Sequence, residues 1–413
     1  MKSLLDQCKS LKKSATDLSS SGTDIKNRSL LIVAEYLKKY ENKILQANDL
    51  DIEIARNSGM KDSLIDRLKL TPARIDDMID GIEKVVSLKD PVWNSRDVWT
   101  LENGITVSKM SVPLGVISII YESRPNVTID AFTLALKSGN AILLRGSSSA
   151  INSNKALVRV VKEGLSAGPI SSDIIELVED TDRALVGELL NMTEYLDLVI
   201  PRGGAGLIKF VTENSKVPSI ETGVGNCHIF VDESADLKNA LDIIENAKIQ
   251  RPGVCNSCET VLIHENIAEK FLPALVDRIS DRVEIRACEA SRKICELKAA
   301  VECDWETEFL DFIIAVKIVK SNEEAIEHIN LYGTKHSEAI LTDKLTNARF
   351  FQRRVDAAAV YVNASTRFTD GGALGFGAEM GISTQKMHAR GPMGLNELVT
   401  IKYIMDGNGQ IRE

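Results

Sequence analysis

Hydrophobic positions along the first ninety residues recur with helical spacing. Between about Asp24 and Asn57 they fall at Leu30, Val33, Leu37, Ile44, Leu45, Ile52 and Ile54, the rhythm of a helical stripe turned toward a core. A second stripe, Ile75, Met78, Ile79, Ile82, Val85 and Val86, follows Thr71-Pro72. A hydroxyl cap before a proline at the first helical position starts a helix there, and Pro91 stops it. From about Asn103 the pattern changes to short continuous apolar runs: Gly115–Tyr121, Ala141–Arg145, Ile174–Val178, Leu196–Ile200 and Val217–Glu221. Helical stretches such as Thr128–Ser138 and Asn152–Ser166 lie between them. Strands apolar on both faces and joined by crossover helices predict a doubly wound parallel sheet, with ligands at the carboxyl ends of the strands. A second α/β series follows, with strands His228–Val231, Glu259–His264, Phe312–Val319 and Ala339–Thr342 and helices Ala235–Gln250, Ile267–Ile279 and Ser321–Leu331. The turn Gly223-Val224-Gly225-Asn226 is the expected boundary between two lobes. Leu398–Met405 reads as β-like before a polar tail, Asp406–Glu413.

Composition narrows the class. The 413 residues suffice for two or three domains, and 44% hydrophobic with 26% charged residues gives ample material for cores. A net charge of -9 argues against nucleic acid or an anionic membrane as a general partner. No apolar run approaches the ~20 residues needed to span a bilayer, and charge arrives at Lys2 and Asp6, so a cytoplasmic location is expected. Seven cysteines, an odd number without a secretory signal, read as reduced thiols, so a working nucleophile is to be sought among them.

Five segments carry candidate chemistry. Cys255 stands in Arg251-Pro252-Gly253-Val254-Cys255-Asn256, a loop between helix and strand. There it is either a thiolate activated by backbone amides and cations or a small buried hydrophobe. Cys258 completes a Cys-x-x-Cys but has no second pair at metal spacing, so it reads as structural and no metal site is expected. In Tyr121-Glu122-Ser123-Arg124-Pro125-Asn126-Val127-Thr128, Asn126 and Thr128 either cap the next helix or, in the case of Asn126, donate to a developing oxyanion. Arg145-Gly146-Ser147-Ser148-Ser149 ends a strand on a cation with no acidic residue. That arrangement is either a solvated loop or a site that tolerates a ribose 2′-phosphate, favouring NADP over NAD. Pro201-Arg202-Gly203-Gly204 opens a helix with amides suited to a pyrophosphate, although the dinucleotide fingerprint is absent. Asn363–Gly372 gathers Thr366, Arg367 and other polar groups as either a turn or a small-anion loop. None of the five histidines has a triad-like context.

Together these stretches resemble the gamma-glutamyl phosphate reductase (glutamate-5-semialdehyde dehydrogenase) family, a branch of the aldehyde dehydrogenase superfamily. The resemblance rests on Tyr121–Thr128, Lys137–Arg145, Ile200–Leu207, Glu221–His228, Arg251–Glu259, Val360–Gly372 and Gly381–Gly394, in the family's order across nearly the whole chain. It implies an aldehyde-dehydrogenase-like α/β fold of two doubly wound parallel-sheet lobes with a small oligomerisation β element. The implied domains are 1–225, binding NADP and carrying an oligomerisation strand near 98–112; 226–395, the catalytic domain with Cys255; and 396–413, a C-terminal oligomerisation strand and tail. The implied activity is NADPH-dependent reduction of gamma-glutamyl phosphate to glutamate 5-semialdehyde in proline biosynthesis, through a thioester on Cys255.

The resemblance also assigns roles. Asn126 matches the oxyanion asparagine and Arg145 the ribose-contacting position. Ser148 falls where NAD-dependent relatives carry Glu, with Ser147 beside it. Gly203 and Gly204 lie where cofactor phosphates pass, and Glu308 matches the residue that holds the nicotinamide ribose. Arg124, Thr366 and Arg367 are candidates for substrate phosphate or carboxylate, and the role of Glu221 stays open. Where the family often has Gly-Gly-Ser-Glu-Ala, this chain has Gly146-Ser147-Ser148-Ser149-Ala150. The resemblance further implies a stand-alone reductase without a fused kinase domain, a homodimer or homotetramer, and transient contact with glutamate 5-kinase. The competing readings are an NAD(P)-dependent aldehyde dehydrogenase that oxidises another aldehyde, and a catalytically silent binding protein on the same fold.

Overall fold

A computed structural model describes residues 2–412. The helical stripes at the start of the chain become α1 (Leu4–Ser19), α2 (Thr23–Lys39), α3 (Glu41–Asn57), α4 (Asp62–Leu68) and α5 (Pro72–Ser87). The stripe from Asp24 to Asn57 is two helices, because Tyr40 (φ -105°, ψ 15°) is at once the C-cap of α2 and the N-cap of α3. Thr71 caps α5 as its position suggested, accepting from the Arg74 amide. That helix ends at Ser87, a turn before Pro91.

β1 (Ser95–Thr100) and β2 (Thr106–Pro113) form an antiparallel hairpin. A parallel four-stranded sheet follows in the order β5-β4-β3-β6, from β3 (Val116–Tyr121), β4 (Ala141–Arg145), β5 (Ile175–Leu177) and β6 (Leu198–Arg202). Its crossovers are α6 (Asn126–Lys137), α7 (Ile151–Ser166) and α8 (Ala184–Leu189), and α9 (Ala205–Asn214) leaves β6. All six residues of β3 are buried, as expected for a strand covered on both faces. Val217–Glu221, expected as a fifth strand, makes only one bridge, Ser219 to Val199. Pro218 has no N–H to give, so the ladder does not extend through it. Asp51 of α3 anchors the layer beneath. Its buried carboxylate accepts from the Ser153 amide (2.8 Å), the Ser153 hydroxyl (2.6 Å) and the Asn152 carboxamide (2.9 Å), which fixes the first turn of α7.

The second series contains β7 (Cys227–Val231), α10 (Leu237–Ile249), β8 (Cys258–His264), α11 (Glu265–Ile279), β9 (Glu284–Ala287), α12 (Glu289–Ile294) and β10 (Lys298–Ala299). It continues with β11 (Ile313–Val319), α13 (Asn322–Tyr332), β12 (Ser337–Leu341), α14 (Leu345–Arg354) and β13 (Ala359–Val362). Seven parallel strands lie in the order β10-β9-β11-β8-β7-β12-β13. One apolar layer sits on each face, one around Phe271 and Leu275 and the other around Phe230 and Phe351. The short pair β14 (Ile382–Ser383) and β15 (Gly391–Pro392) precedes β16 (Val399–Asp406), which pairs antiparallel with β2.

The chain divides into two compact units. The first comprises Met1–Glu221, Gly375–Gly381 and Met393–Glu413, and the second Thr222–Leu374 and Ile382–Pro392. The C-terminal strand expected as a separate element thus belongs to the first unit, because its whole length is hydrogen-bonded to β2. Among the described residues no helix is long and apolar enough to cross a membrane.

Candidate active site

In the first unit the polar groups gather where β3, β4 and β6 end, at the carboxyl edge of the parallel sheet. The loop after β3 turns at Ser123, whose φ of 44° makes the chain double back. It is tied to the loop after β4 by hydroxyls: the Ser123 amide donates to Ser147 Oγ (3.1 Å), and Ser149 Oγ lies 3.0 Å from Ser123 Oγ and 2.7 Å from Ser147 Oγ. Ser148 beside them is exposed. Arg145 closes β4 with Nη2 donating to the carbonyls of Thr181 (3.1 Å) and Asp182 (3.4 Å), while its Nε is buried without a partner. Burial lowers the pKa of this guanidinium and Arg183 adds repulsion, against attraction from Glu122, Asp180 and Asp182. Gly204 caps α9 and its amide donates to Glu122 Oε2 (2.9 Å). A side chain on Gly203 would collide with that same carboxylate. The start of α9 therefore already accepts an anion, as a helix N-terminus with free amides should. The exposed glycine pair, the orphaned Arg145 nitrogen and the hydroxyl cluster are donors that fit a phosphorylated cofactor.

The sequence allows Asn126 as a helix cap, and the structure corrects this. It is the first residue of α6, with Pro125 at the cap and no side-chain capping bond. Its exposed carboxamide instead donates from Nδ2 to Asp130 Oδ2 (3.0 Å). Thr128 does not cap either: its hydroxyl is 2.7 Å from Tyr121 Oη and donates to Asn154 (3.2 Å) in the interior. Arg124 is half-buried in the loop before α6, and Glu221 is half-buried at the end of this unit's long segment.

In the second unit Cys255 is half-buried between the end of α10 and the start of β8. This is the amino edge of the sheet, opposite to the edge that the parallel-sheet rule favours. The loop is held from several sides. Gly225 packs so closely that any side chain there would run into the Cys255 carbonyl. The Cys227 thiol donates to that carbonyl (3.2 Å), and the Ser257 amide returns to Val254 O (3.0 Å). Asn256 is buried and saturated: Nδ2 donates to the carbonyls of Thr369 (2.9 Å) and Arg367 (3.2 Å), Oδ1 accepts from Arg367 Nη1, and its carbonyl accepts from Thr366 Oγ1 (2.7 Å).

Thr366 is thus fully buried, with its hydroxyl spent on the Cys255 loop. Arg367 Nε donates to Gln250 (3.0 Å). Burial lowers its pKa, Asp370 raises it and Arg251 lowers it, and Cys255 is near enough to attract it. A guanidinium beside a thiol favours the thiolate. Glu308 is half-buried and accepts from the Gly225 amide at Oε1 (2.8 Å), which ties it to the turn that packs on Cys255. Cys258, read as structural, is fully buried. Burial pushes its thiol far up, so it stays protonated and inert.

Sequence reasoning passed over Gly225, Asn256 and Cys227, although all three lie inside matched motifs. It also passed over Lys248 and Glu259, a fully buried ion pair (2.6 Å) that brackets the Cys255 loop. A charge at the start of an otherwise apolar strand is the signal that points to Glu259. Asp130 was legible only as a carboxylate one helical turn after Asn126.

Residues 34–287, more than half of the chain, match the model of the aldehyde dehydrogenase family. The curated gamma-glutamyl phosphate reductase of Alkaliphilus oremlandii is 63% identical over 413 residues, covering 100% of both chains. The crystal structure of gamma-glutamyl phosphate reductase from Thermotoga maritima superposes with a TM-score of 0.97 at 54% identity, again over 100% of both chains. An acetylating aldehyde dehydrogenase from Geobacillus thermoglucosidasius, 17% identical with a TM-score of 0.72 over 99% of this chain and 97% of its own, shares the fold alone. The chain belongs to the aldehyde dehydrogenase family and, within it, to the gamma-glutamyl phosphate reductases.

Proposed function

We propose that the protein reduces gamma-glutamyl phosphate to glutamate 5-semialdehyde with release of phosphate, using NADPH, through a thioester on Cys255. The observation that carries this is the loop of Cys255, fixed by Gly225, Cys227 and Asn256 while Cys255 stays half-buried and near enough to attract Arg367. A cysteine that were merely packing would not need its backbone held at this many points.

The Cys255 thiolate attacks the acyl carbon, a C–S bond forms, the C–O bond to phosphate breaks and phosphate departs with the electron pair. Asn126 Nδ2 and the Cys255 amide are the assigned donors to the oxyanion, each worth about 3 kcal/mol in comparable sites. NADPH, when bound, supplies the hydride that reduces the thioester. The hemithioacetal then expels the Cys255 thiolate and frees the aldehyde. Arg145, Ser147, Ser148, Gly203 and Gly204 are the residues assigned to the cofactor's phosphates and adenine-side ribose, with Glu308 assigned to the nicotinamide-side ribose. The absence of an acidic residue among Arg145–Ser149 supports NADPH over NADH. Arg124 and Arg367 remain the cationic candidates for substrate phosphate or carboxylate, with Thr366 acting through the loop that it pins. The β1-β2-β16 sheet exposes Val98, Trp99, Ile401, Tyr403 and Met405, which supports homo-oligomerisation through that sheet.

The test is NADP-dependent oxidation of glutamate 5-semialdehyde with and without inorganic phosphate. Turnover that requires phosphate and disappears in Cys255→Ala is expected. Turnover indifferent to phosphate would instead mean a hydrolytic aldehyde dehydrogenase, and an active Cys255→Ala would refute the thioester.

A further inference from the structure

The Asn126 carboxamide donates to Asp130, one helical turn further along α6. A carboxamide presents two faces of similar shape, an NH2 that donates and an oxygen that accepts, and rotation about its last torsion exchanges them. Only the NH2 face serves an oxyanion. An ionised carboxylate accepts and never donates, so Asp130 binds the NH2 end alone. One Nδ2–H is then committed to Asp130 and the other is aimed away from it. Turning the amide over would set Asn126 Oδ1 against a carboxylate oxygen.

Three charged groups meet here from three elements. Asp130 is on α6; Arg202, at the end of β6, attracts it; Glu379, in the Gly375–Gly381 segment, repels it and is itself paired with Arg202 (3.3 Å). Burial pushes the Asp130 carboxyl up to about 6, with Glu379 adding to the rise and the Asn126 bond and Arg202 opposing it. The aspartate lies past the first turn of α6, beyond the reach of the helix amino end.

We propose that Asp130 is a positioning residue for the reaction, orienting the Asn126 carboxamide so that Nδ2–H, and not Oδ1, meets the oxyanion. This rests on the oxyanion role of Asn126 given above. Asp130 acts only through Asn126 and touches no reacting atom.

The experiment measures steady-state phosphate-dependent semialdehyde oxidation for Asp130→Asn, Asp130→Ala, Asn126→Ala and the double variant Asn126→Ala/Asp130→Asn, from pH 5 to 9. Asp130→Asn and Asp130→Ala should each lower kcat roughly tenfold, a fraction of the 100- to 1,000-fold given by losing an oxyanion donor. KM for semialdehyde and for NADP should stay unchanged. An inflection near pH 6 should vanish in both Asp130 variants. In the Asn126→Ala background Asp130→Asn should have no further effect. If Asn126→Ala is slow while both Asp130 variants keep kcat within about twofold, or if Asp130→Asn costs as much with Asn126 absent, the positioning role is overturned and the oxyanion assignment stands. If Asn126→Ala itself turns over at the normal rate, the oxyanion assignment falls and the inference falls with it. Two Asp130 variants of different size keep the result readable should one of them fold poorly.

Discussion

Lys248→Met is expected to destabilise the second unit in a strongly pH-dependent way. Lys248 on α10 and Glu259, the second residue of β8, form an ion pair at 2.6 Å, with both side chains fully buried. Glu259 also accepts from the Leu310 amide (3.3 Å), two residues beyond Glu308. Burial pushes the Glu259 carboxyl up to about 7 even with the Lys248 ammonium pulling it back. Removing the ammonium leaves a carboxylate in an apolar layer, and such uncompensated charges cost about 3–5 kcal/mol. The carboxyl has a cheaper route, which is to take up a proton. From its ordinary value of 4.5, protonation at pH 7 costs about 3.4 kcal/mol, at 1.36 kcal/mol per pH unit. At pH 5 the same step costs about 0.7 kcal/mol. The folded-state pKa of Glu259 in the variant is raised above the unfolded value. The native variant therefore binds more protons than its unfolded chain; wild type already holds this carboxyl at about 7, so the penalty relative to wild type grows as pH rises above about 7. Urea unfolding of wild type and Lys248→Met at pH 5 and pH 8 should give a charge-dependent difference near zero at pH 5 and about 1.4 kcal/mol at pH 8. Lys248→Met/Glu259→Leu should recover most of the loss. A penalty that is the same at both pH values, or a double variant no better than the single one, would refute a buried charge as the cause.

Gly225→Ala should cost about 1–3 kcal/mol from overpacking and lower turnover by displacing Cys255, read by thermal unfolding and kcat; a variant of normal rate would mean that the loop yields freely. Glu122→Gln removes the carboxylate resting on the Gly204 amide, so NADPH should bind roughly fivefold more tightly, the equivalent of one net hydrogen bond of ~1 kcal/mol. Fluorescence titration checks this, and unchanged or weaker binding would argue against a carboxylate competing with the cofactor phosphates. Asp356 is drawn down to about 2 by hydrogen bonds from Arg390 and then Lys386, which fasten the Ile382–Pro392 segment to its own unit. Its folded-state pKa is depressed, so its contribution is complete above pH 4 and fades as pH falls toward 2. Partial exposure limits that contribution to about 1 kcal/mol or less. Asp356→Asn should flatten this acid limb in a urea-unfolding series, and an unchanged limb would exclude the pair as its source.

What the sequence made legible follows from where each pattern comes from. β3, β4 and β8 are short runs apolar on both faces, and that periodicity marks a covered parallel strand without help from distant residues. β9, β13 and α14 were missed. β9 has an exposed glutamate and a half-buried arginine among four residues, β13 is only half-buried, and α14 carries three cations and a narrow apolar face. Edge and surface elements take their order from neighbours, which local periodicity does not record. The glycine pair and the serine cluster were legible as a cofactor site because backbone amides and hydroxyls at a strand's carboxyl edge are local features. The surroundings of Cys255 were not, because the loop is fixed by Gly225, Arg367 and Thr369, residues far away in sequence. Polarity points to Thr366 and Arg367 as anion ligands, yet Thr366 is spent on holding Asn256 and Arg367 divides itself between Asn256 and Gln250. Polarity in a loop thus indicates that hydrogen bonds will be made, and topology decides with whom. In this chain topology directs them to the backbone on either side of the thiol, so the loop's polar groups hold Cys255 in place before any of them is available to the substrate.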